Sequence, residues 1–391
     1  MSDLNTTQQT ICGLIGAALF ERELVLPPDV DWAAVYREAT AHTVYGILYR
    51  ILPQLPLPEN IRAEWSTLYM HNVMRAMQLL HEQEVLIDLL EKNGIPNVIL
   101  KGFAAAVYYP SLYDRAAGDV DFLVHESDYA RTLRLLEDNE YQHAHEHEDN
   151  DRHESFDKNE CHFECHHRFA GSHSGNAEII DRWIKQGMQS AERVETESGA
   201  FFRLRDAENG LVLLEHVAIH IKAGLGLRQI VDWLLFVDQC LDDAAWAGEA
   251  GQIIRESGLE TLAVTLTRMG QQYFGLRKDI TWCSAAEDAV CGELLELVFS
   301  YGNFGRKAPK KNKVVSVMYR NRKGLFANLK AAGEHNWKAL HRHPWLKPLA
   351  PVYQLFRYAK QTLSQKGTVR RIVSNRTEVA HRIALMEKLG I

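Results

Sequence analysis

No stretch of this chain approaches the roughly 20 consecutive apolar residues that a membrane-spanning helix needs, so no span is expected. The apolar segment from Ile11 to Phe20 is short, lacks a preceding basic region and runs into Glu21-Arg22-Glu23, unlike a signal peptide. Cysteine is scarce. Six residues in 391 (Cys12, Cys161, Cys165, Cys240, Cys283 and Cys291) cannot build a disulfide framework for a chain this long, and a reduced, cytoplasmic protein is the expectation. Basic charge is not in excess: 44 Lys and Arg face 51 Asp and Glu, and the net charge of −7 gives no general reason to expect nucleic acid or an anionic membrane. Internal repeats and long low-complexity tracts are missing as well.

What remains is ordinary globular material, 46% hydrophobic and 24% charged, long enough for two or three domains. The first ninety residues read as helices. The longest runs from Glu59 to Lys92, with Trp65, Leu68, Val73, Met77 and Leu80 mostly at three-to-four spacing, opened by Pro58 and closed by Asn93-Gly94. Short strands then appear at residues 97–100, 119–124, 177–180 and 201–204. Residues 161–169 alternate in part, as an edge or hairpin strand does, and residues 172–176 read as a turn. Helices dominate again from about residue 206. The expected fold class is α+β, a small mixed sheet at residues 94–205 between helical regions at 1–93 and 206–391.

Chemistry concentrates in two short segments, Leu100-Lys101-Gly102 and Gly118-Asp119-Val120-Asp121-Phe122-Leu123-Val124. Strand side chains alternate faces, so Asp119 and Asp121 project from one face at the start of an apolar run. Two neighbouring carboxylates repel, and a cation commonly neutralises them. Mg²⁺ takes one or two carboxylates and completes its shell with water and phosphate oxygens. A glycine just past a short strand permits the close backbone approach that a triphosphate requires. The pattern points to phosphate-transfer chemistry.

Order and spacing resemble the nucleotidyltransferase superfamily, and more closely its uncharacterised bacterial branch with Leu-Lys-Gly, Tyr-Pro, Arg and Gly-Asp-x-Asp-x-Leu-Val. Here these are Leu100-Lys101-Gly102, Tyr109-Pro110, Arg115 and Gly118 to Val124. The likeness continues through Leu214-Glu215-His216, His220 and the segment Gly224-Leu225-Gly226-Leu227-Arg228-Gln229 with Asp232-Trp233, and spans about residues 90 to 240. It implies a nucleotidyltransferase core. Such proteins carry a third carboxylate on a later strand, often with His two residues on. Glu178 in Ala177-Glu178-Ile179-Ile180 is taken as the match, with Ile180 in the place of the histidine and Asp181 as its rival. The resemblance then implies that Asp119, Asp121 and Glu178 hold one or two Mg²⁺ ions and that a nucleoside triphosphate is the substrate. Glu178 would help deprotonate an acceptor hydroxyl. Lys101, Gly102 and Arg115 would contact phosphate, and His216, His220 and Arg228 the nucleotide or acceptor.

The acceptor class, whether small molecule, saccharide or protein, stays open. Phe103 stands where many active relatives have Ser or Gly, which keeps a catalytically degenerate nucleotide- or partner-binding module as the alternative, beside a protein AMP-transferase. A histidine-based metal hydrolase is the outsider. His143, His145 and His147 would share a face if their segment were a strand, although the neighbouring acids favour a solvated hairpin. The eight basic residues from Arg306 to Lys323 leave nucleic acid as a lesser reading.

Overall fold

The computed structural model describes residues 4–144, 152–170, 176–197, 199–221, 224–303, 343–363 and 376–391, with isolated positions between 307 and 340. The chain divides into two compact units, one of residues 1–145, 150–307 and 388–391, the other of residues 146–149 and 308–387. His145, His147, the turn at 172–175 and nearly all of the basic segment 306–323 lie outside the described residues.

The larger unit opens with helices α1 (Thr6–Leu19), α2 (Trp32–Ala41), α3 (Tyr45–Tyr49) and α4 (Glu59–Lys92). Helix α4 has the bounds its periodicity predicts. It ends where Gly94 turns the chain at φ +62°, a left-handed conformation that glycine adopts without steric cost. Then follow β1 (Asn97–Leu100), α5 (Gly102–Ala106), β2 (Asp119–Val124), α6 (Glu126–Asp138), β3 (Gln142–His143), β4 (His153–Lys158), β5 (Cys161–His166), α7 (Ala177–Gly187), β6 (Glu192–Thr196) and β7 (Gly199–Arg203).

The strands form one seven-stranded mixed sheet in the order β3-β4-β5-β2-β1-β7-β6, with helices on both sides. Strand β5 runs parallel to β2 and β7 parallel to β1, and the other neighbours are antiparallel. The fold is therefore α+β, as expected. On one face Val120, Phe122, Val124, Phe156, Phe163 and Cys165 join Leu79, Leu86, Ile87 and Leu90 of α4 in a single core. Burying each phenylalanine contributes roughly 2 kcal/mol. A one-residue slip of β2 or β5 would drive carboxylates into this core, so the register is firmly set.

One strand assignment needs correction. Residues 177–180 open helix α7, because Ile180 and Ile184, four apart, are both buried and continue a helical stripe that a four-residue window cannot show. Of the two placements open to residues 161–169, edge or hairpin, the structure has the hairpin. Strand β5 lies between β4 and β2, and a two-residue turn at Asn159-Glu160, both at positive φ, joins it to β4.

The chain continues through α8 (Asp206–His220), α9 (Leu227–Cys240), α10 (Asp243–Ala247), α11 (Glu249–Glu256), α12 (Glu260–Met269) and α13 (Asp288–Tyr301). In the smaller unit a 3-10 segment, Pro344–Leu349, leads into a helix, Ala350–Leu363, and Trp337 stacks on Tyr353 with ring centroids 4.7 Å apart. Among the described residues no helix is long and apolar enough to cross a membrane.

Candidate functional site

Alternation decides which side chains meet. With Val120, Phe122 and Val124 in the core, Asp119 and Asp121 must project from the opposite face of β2. Strand β5 obeys the same rule: Cys161, Phe163 and Cys165 are buried, while His162, Glu164 and His166 share the face of the aspartates. Register completes the arrangement, because Asp119 lies beside His162, Asp121 beside Glu164 and Leu123 beside His166, and His153 of β4 lies opposite His166.

The result is a compact acidic cluster. Carboxylate oxygens of Asp119, Asp121 and Glu164 lie within 4.8 Å of one another. Lys101 enters from the end of β1, where the chain takes φ +47° at Lys101 and +28° at Gly102, a region that few non-glycine residues occupy. Its Nζ lies 2.5 Å from Asp121 Oδ1 and 3.7 Å from Glu164 Oε2. His166 Nε2 donates to Asp121 Oδ1 at 3.0 Å and to Glu164 Oε2 at 3.1 Å, while its Nδ1 faces the Arg168 carbonyl at 3.3 Å. Both ring nitrogens thus face acceptors, which suits an imidazolium.

The electrostatics agree. Burial opposes charge on His166, yet its bonds to Asp121 and Glu164 prevail and raise its pKa. Burial likewise works against Lys101, and the charges of Asp121, Glu164 and Asp119 outweigh it and push its pKa up. Glu164 pays desolvation too, but Lys101 and His166 hold its carboxyl well below the usual range. Asp119 differs: burial and then the Asp121 charge raise its pKa, against the pull of Lys101, Arg228 and Arg115.

An all-oxygen donor set of three carboxylates suits a hard divalent cation such as Mg²⁺, and the cluster already accommodates one positive charge, the Lys101 ammonium. The residues present therefore fit the metal that the sequence implies. His153, Glu164 and His166 form a second group whose donor atoms lie within 4.8 Å of one another, and it shares Glu164 with the first.

Glu178 lies outside this cluster. It is exposed in the first turn of α7 and lines an open surface depression with Arg168, Asp181, Arg182 and Lys185. Its rival Asp181 accepts the backbone N–H groups of Phe169 and Ala170, each at 2.9 Å, and so anchors the chain after β5. The third carboxylate is Glu164. A signal for it was present in the sequence: Glu164-Cys165-His166 carries the carboxylate and the histidine two residues on, within a run whose odd positions are apolar.

Arg115 is committed elsewhere. Its Nε and Nη2 bond Asp232 Oδ1 and Oδ2 at 2.8 and 2.9 Å, and Tyr109 Oη donates to Asp232 Oδ1 at 2.6 Å, all three residues being buried. Arg228 Nη1 donates to the Ala116 carbonyl at 2.6 Å. The Tyr-Pro, Arg and Asp-Trp pieces of the sequence pattern thus account for one another. They fasten the turn that leads into Asp119 to helix α9.

His216 and His220 of α8 stack edge to face with centroids 4.4 Å apart. Burial lowers the pKa of both. His220 and then Lys101 and Arg228 depress His216 further, and Lys101 and Arg228 bring His220 down to about 3. Phe103, directly after Gly102, is buried in the core and offers no hydroxyl.

Comparison with curated proteins finds no match. A family model described as an uncharacterised nucleotidyltransferase matches residues 28–275, extending the likeness seen in the motifs at both ends. That match covers more than half of the chain, and it joins a cluster whose geometry was derived without it: this protein belongs to the uncharacterised nucleotidyltransferase family.

Proposed function

We propose that the protein transfers a nucleoside monophosphate from a nucleoside triphosphate to a hydroxyl acceptor, with Asp119, Asp121 and Glu164 holding Mg²⁺. The observation that carries this reading is the convergence of those three carboxylates on one sheet face beside Lys101. Bound Mg²⁺ would polarise phosphoryl oxygens and offset their charge. In the reaction an acceptor oxygen forms a bond to the α-phosphorus, the bond to pyrophosphate breaks, and the acceptor proton is assigned to Asp119, whose pKa burial and the Asp121 charge raise. His166 orients Glu164 and Asp121 through its two hydrogen bonds. Lys101 supplies a countercharge for carboxylate or phosphate, and Gly102 lets the backbone approach the triphosphate. Neutral His216 and His220 serve as hydrogen-bonding groups for nucleotide or acceptor. Arg115 acts indirectly, by positioning the turn before Asp119 through Asp232.

A non-catalytic nucleotide-binding domain is the second reading. The Lys101–Asp121 contact favours it, because an internal ammonium can neutralise the acids in place of a metal.

The test is pyrophosphate release from each nucleoside triphosphate with Mg²⁺ and a panel of hydroxyl acceptors, for wild type, Asp119→Ala/Asp121→Ala, Glu164→Gln and Glu178→Gln. Release by wild type and Glu178→Gln, with loss of at least about a hundredfold in the other two, is the expected result; a hundredfold is about 2.7 kcal/mol of barrier. Equal activity of Glu164→Gln and wild type would remove Glu164 from the site. Nucleotide binding by wild type with no turnover on any acceptor would favour the second reading.

A further inference from the structure

The chain-wide net charge of −7 hides a sharp segregation. Residues 297–377 contain eighteen Lys and Arg against one acidic residue, Glu334, whereas the remainder of the chain holds 26 Lys and Arg against 50 Asp and Glu. Unequal charge between regions marks an interaction surface more reliably than the total does.

Within this basic region the helix Ala350–Leu363 and the 3-10 segment before it turn their apolar residues outward. Trp345 is 73% exposed and Phe356 71%, and Leu349, Val352 and Leu355 are each about half exposed. Ala350 and Gln354 are buried instead. Positions 349, 352 and 356 recur at three-to-four spacing and make one stripe, with Leu355 on its flank, and Trp345 is exposed on the 3-10 segment that leads into it. Soluble proteins seldom leave such a row of large apolar side chains exposed. Lys347 and Arg357 fall within the same stretch, and no acidic residue occurs between Glu334 and Glu378.

We propose that this face docks on an anionic lipid surface, the apolar residues from Trp345 to Phe356 entering the headgroup–acyl boundary and Lys347 and Arg357 meeting lipid phosphates. A helix with Phe356, Leu355 and Val352 exposed, an exposed Trp345 just before it and no acidic residue in the sequence from 335 to 377 has the composition of an interfacial helix. Basic residues near an anionic leaflet are attracted to it within a Debye length. A polyanion without an apolar interior would meet the charge but leave Leu349, Val352 and Leu355 in water, and those aliphatic chains have no ring face to stack on a base. The stripe shares no residue with the carboxylate cluster, so lipid docking does not depend on transfer there.

The experiment is flotation of the full-length chain with phosphatidylcholine vesicles, with or without 30% phosphatidylglycerol. Binding is expected only to the anionic vesicles, and it should weaken at least about tenfold as salt rises from roughly 0.1 to 0.5 M. Trp345→Asp/Phe356→Asp should weaken it at least about tenfold, equivalent to about 1.4 kcal/mol. Both side chains are exposed, so the circular dichroism spectrum should not change; Lys347→Glu/Arg357→Glu, which spares the stripe, should weaken binding in the same direction. Met74→Asp on α4, also exposed, should leave flotation unaltered. The idea is overturned by failure to float with anionic vesicles, or by a Trp345→Asp/Phe356→Asp protein that floats like wild type. Duplex binding without flotation would assign the charge to nucleic acid instead, and a dimer that Trp345→Asp/Phe356→Asp converts to monomer would assign the stripe to a second copy.

Discussion

Replacing Asp232 by alanine should be among the most damaging single changes in this protein, although Asp232 lies outside the acidic cluster. Its two oxygens accept three hydrogen bonds, from Tyr109 Oη, Arg115 Nε and Arg115 Nη2, between 2.6 and 2.9 Å. Arg115 is 3% exposed and Asp232 1%, so removal of the carboxylate leaves a guanidinium buried without its partner. Breaking a buried pair from one side costs about 3–5 kcal/mol. The stranded Tyr109 hydroxyl adds about 1–3 kcal/mol. These terms share one environment and do not sum, so a total near about 5 kcal/mol is expected. Buried Arg228 deepens the penalty, since burial and then Arg115 already depress its pKa and Asp232 is a charge that counters them. With a urea m-value of about 2.5 kcal/mol/M, the unfolding midpoint should fall by about 2 M, followed by tryptophan fluorescence and circular dichroism. Tyr109→Phe/Arg115→Met/Asp232→Leu should cost far less, because apolar groups of similar volume replace a buried pair at little loss. A midpoint shift below about 0.4 M for Asp232→Ala, or a triple variant as unstable as the single one, would refute the argument. The damage should reach the site as well. Arg115 and Arg228 both hold the turn that delivers Asp119, so Asp232→Ala should lose Mg²⁺ affinity at temperatures where it remains folded.

Two further outcomes follow from buried groups. The folded-state pKa values of His42, His216 and His220 lie below the ordinary 6.5, chiefly through burial, so their contribution to stability is complete above about pH 6.5 and is lost as pH falls, when the unfolded chain binds protons that the folded chain refuses. For His220 the loss at pH 5 is about 2 kcal/mol, and His220→Gln should flatten the decline of the urea midpoint between pH 7 and pH 5; an unchanged slope would count against it. Gly210 of α8 has no room for a side chain, since a Cβ would lie 2.4 Å from the Phe236 ring. Gly210→Ala should therefore destabilise by about 1–2 kcal/mol, the overpacking of a full core exceeding the helix-propensity gain of about 1 kcal/mol. A stabilised Gly210→Ala protein, by the same urea assay, would show that α8 and α9 can part at this point.

Much of the fold was legible because it rests on local period. Helix α4, β1, β2, α8 and α9 each carry a periodic pattern long enough, or a strand start sharp enough, to identify without partners. Pairing was less legible. Strand β5 read as an edge or hairpin strand because it alternates only in part, and its pairing with both β4 and β2 places it inside the sheet. The four residues from Ala177 to Ile180 suit either strand or helix, and burial of Ile184 one turn later settles the matter in favour of helix.

The same division holds for the site. The sequence by itself determined that Asp119 and Asp121 share a strand face beside a Lys-Gly turn, because the two-residue period of a strand is a local property of the backbone. Only the tertiary structure decided which third carboxylate joins them. Glu164 and Glu178 lie fourteen residues apart and are chemically alike, and a parallel pairing of β5 with β2 puts Glu164 opposite Asp121 while α7 carries Glu178 to the surface. Tertiary structure also assigned Arg115, since a guanidinium suited to phosphate is equally suited to Asp232, 117 residues away, and the burial of both selects that partner.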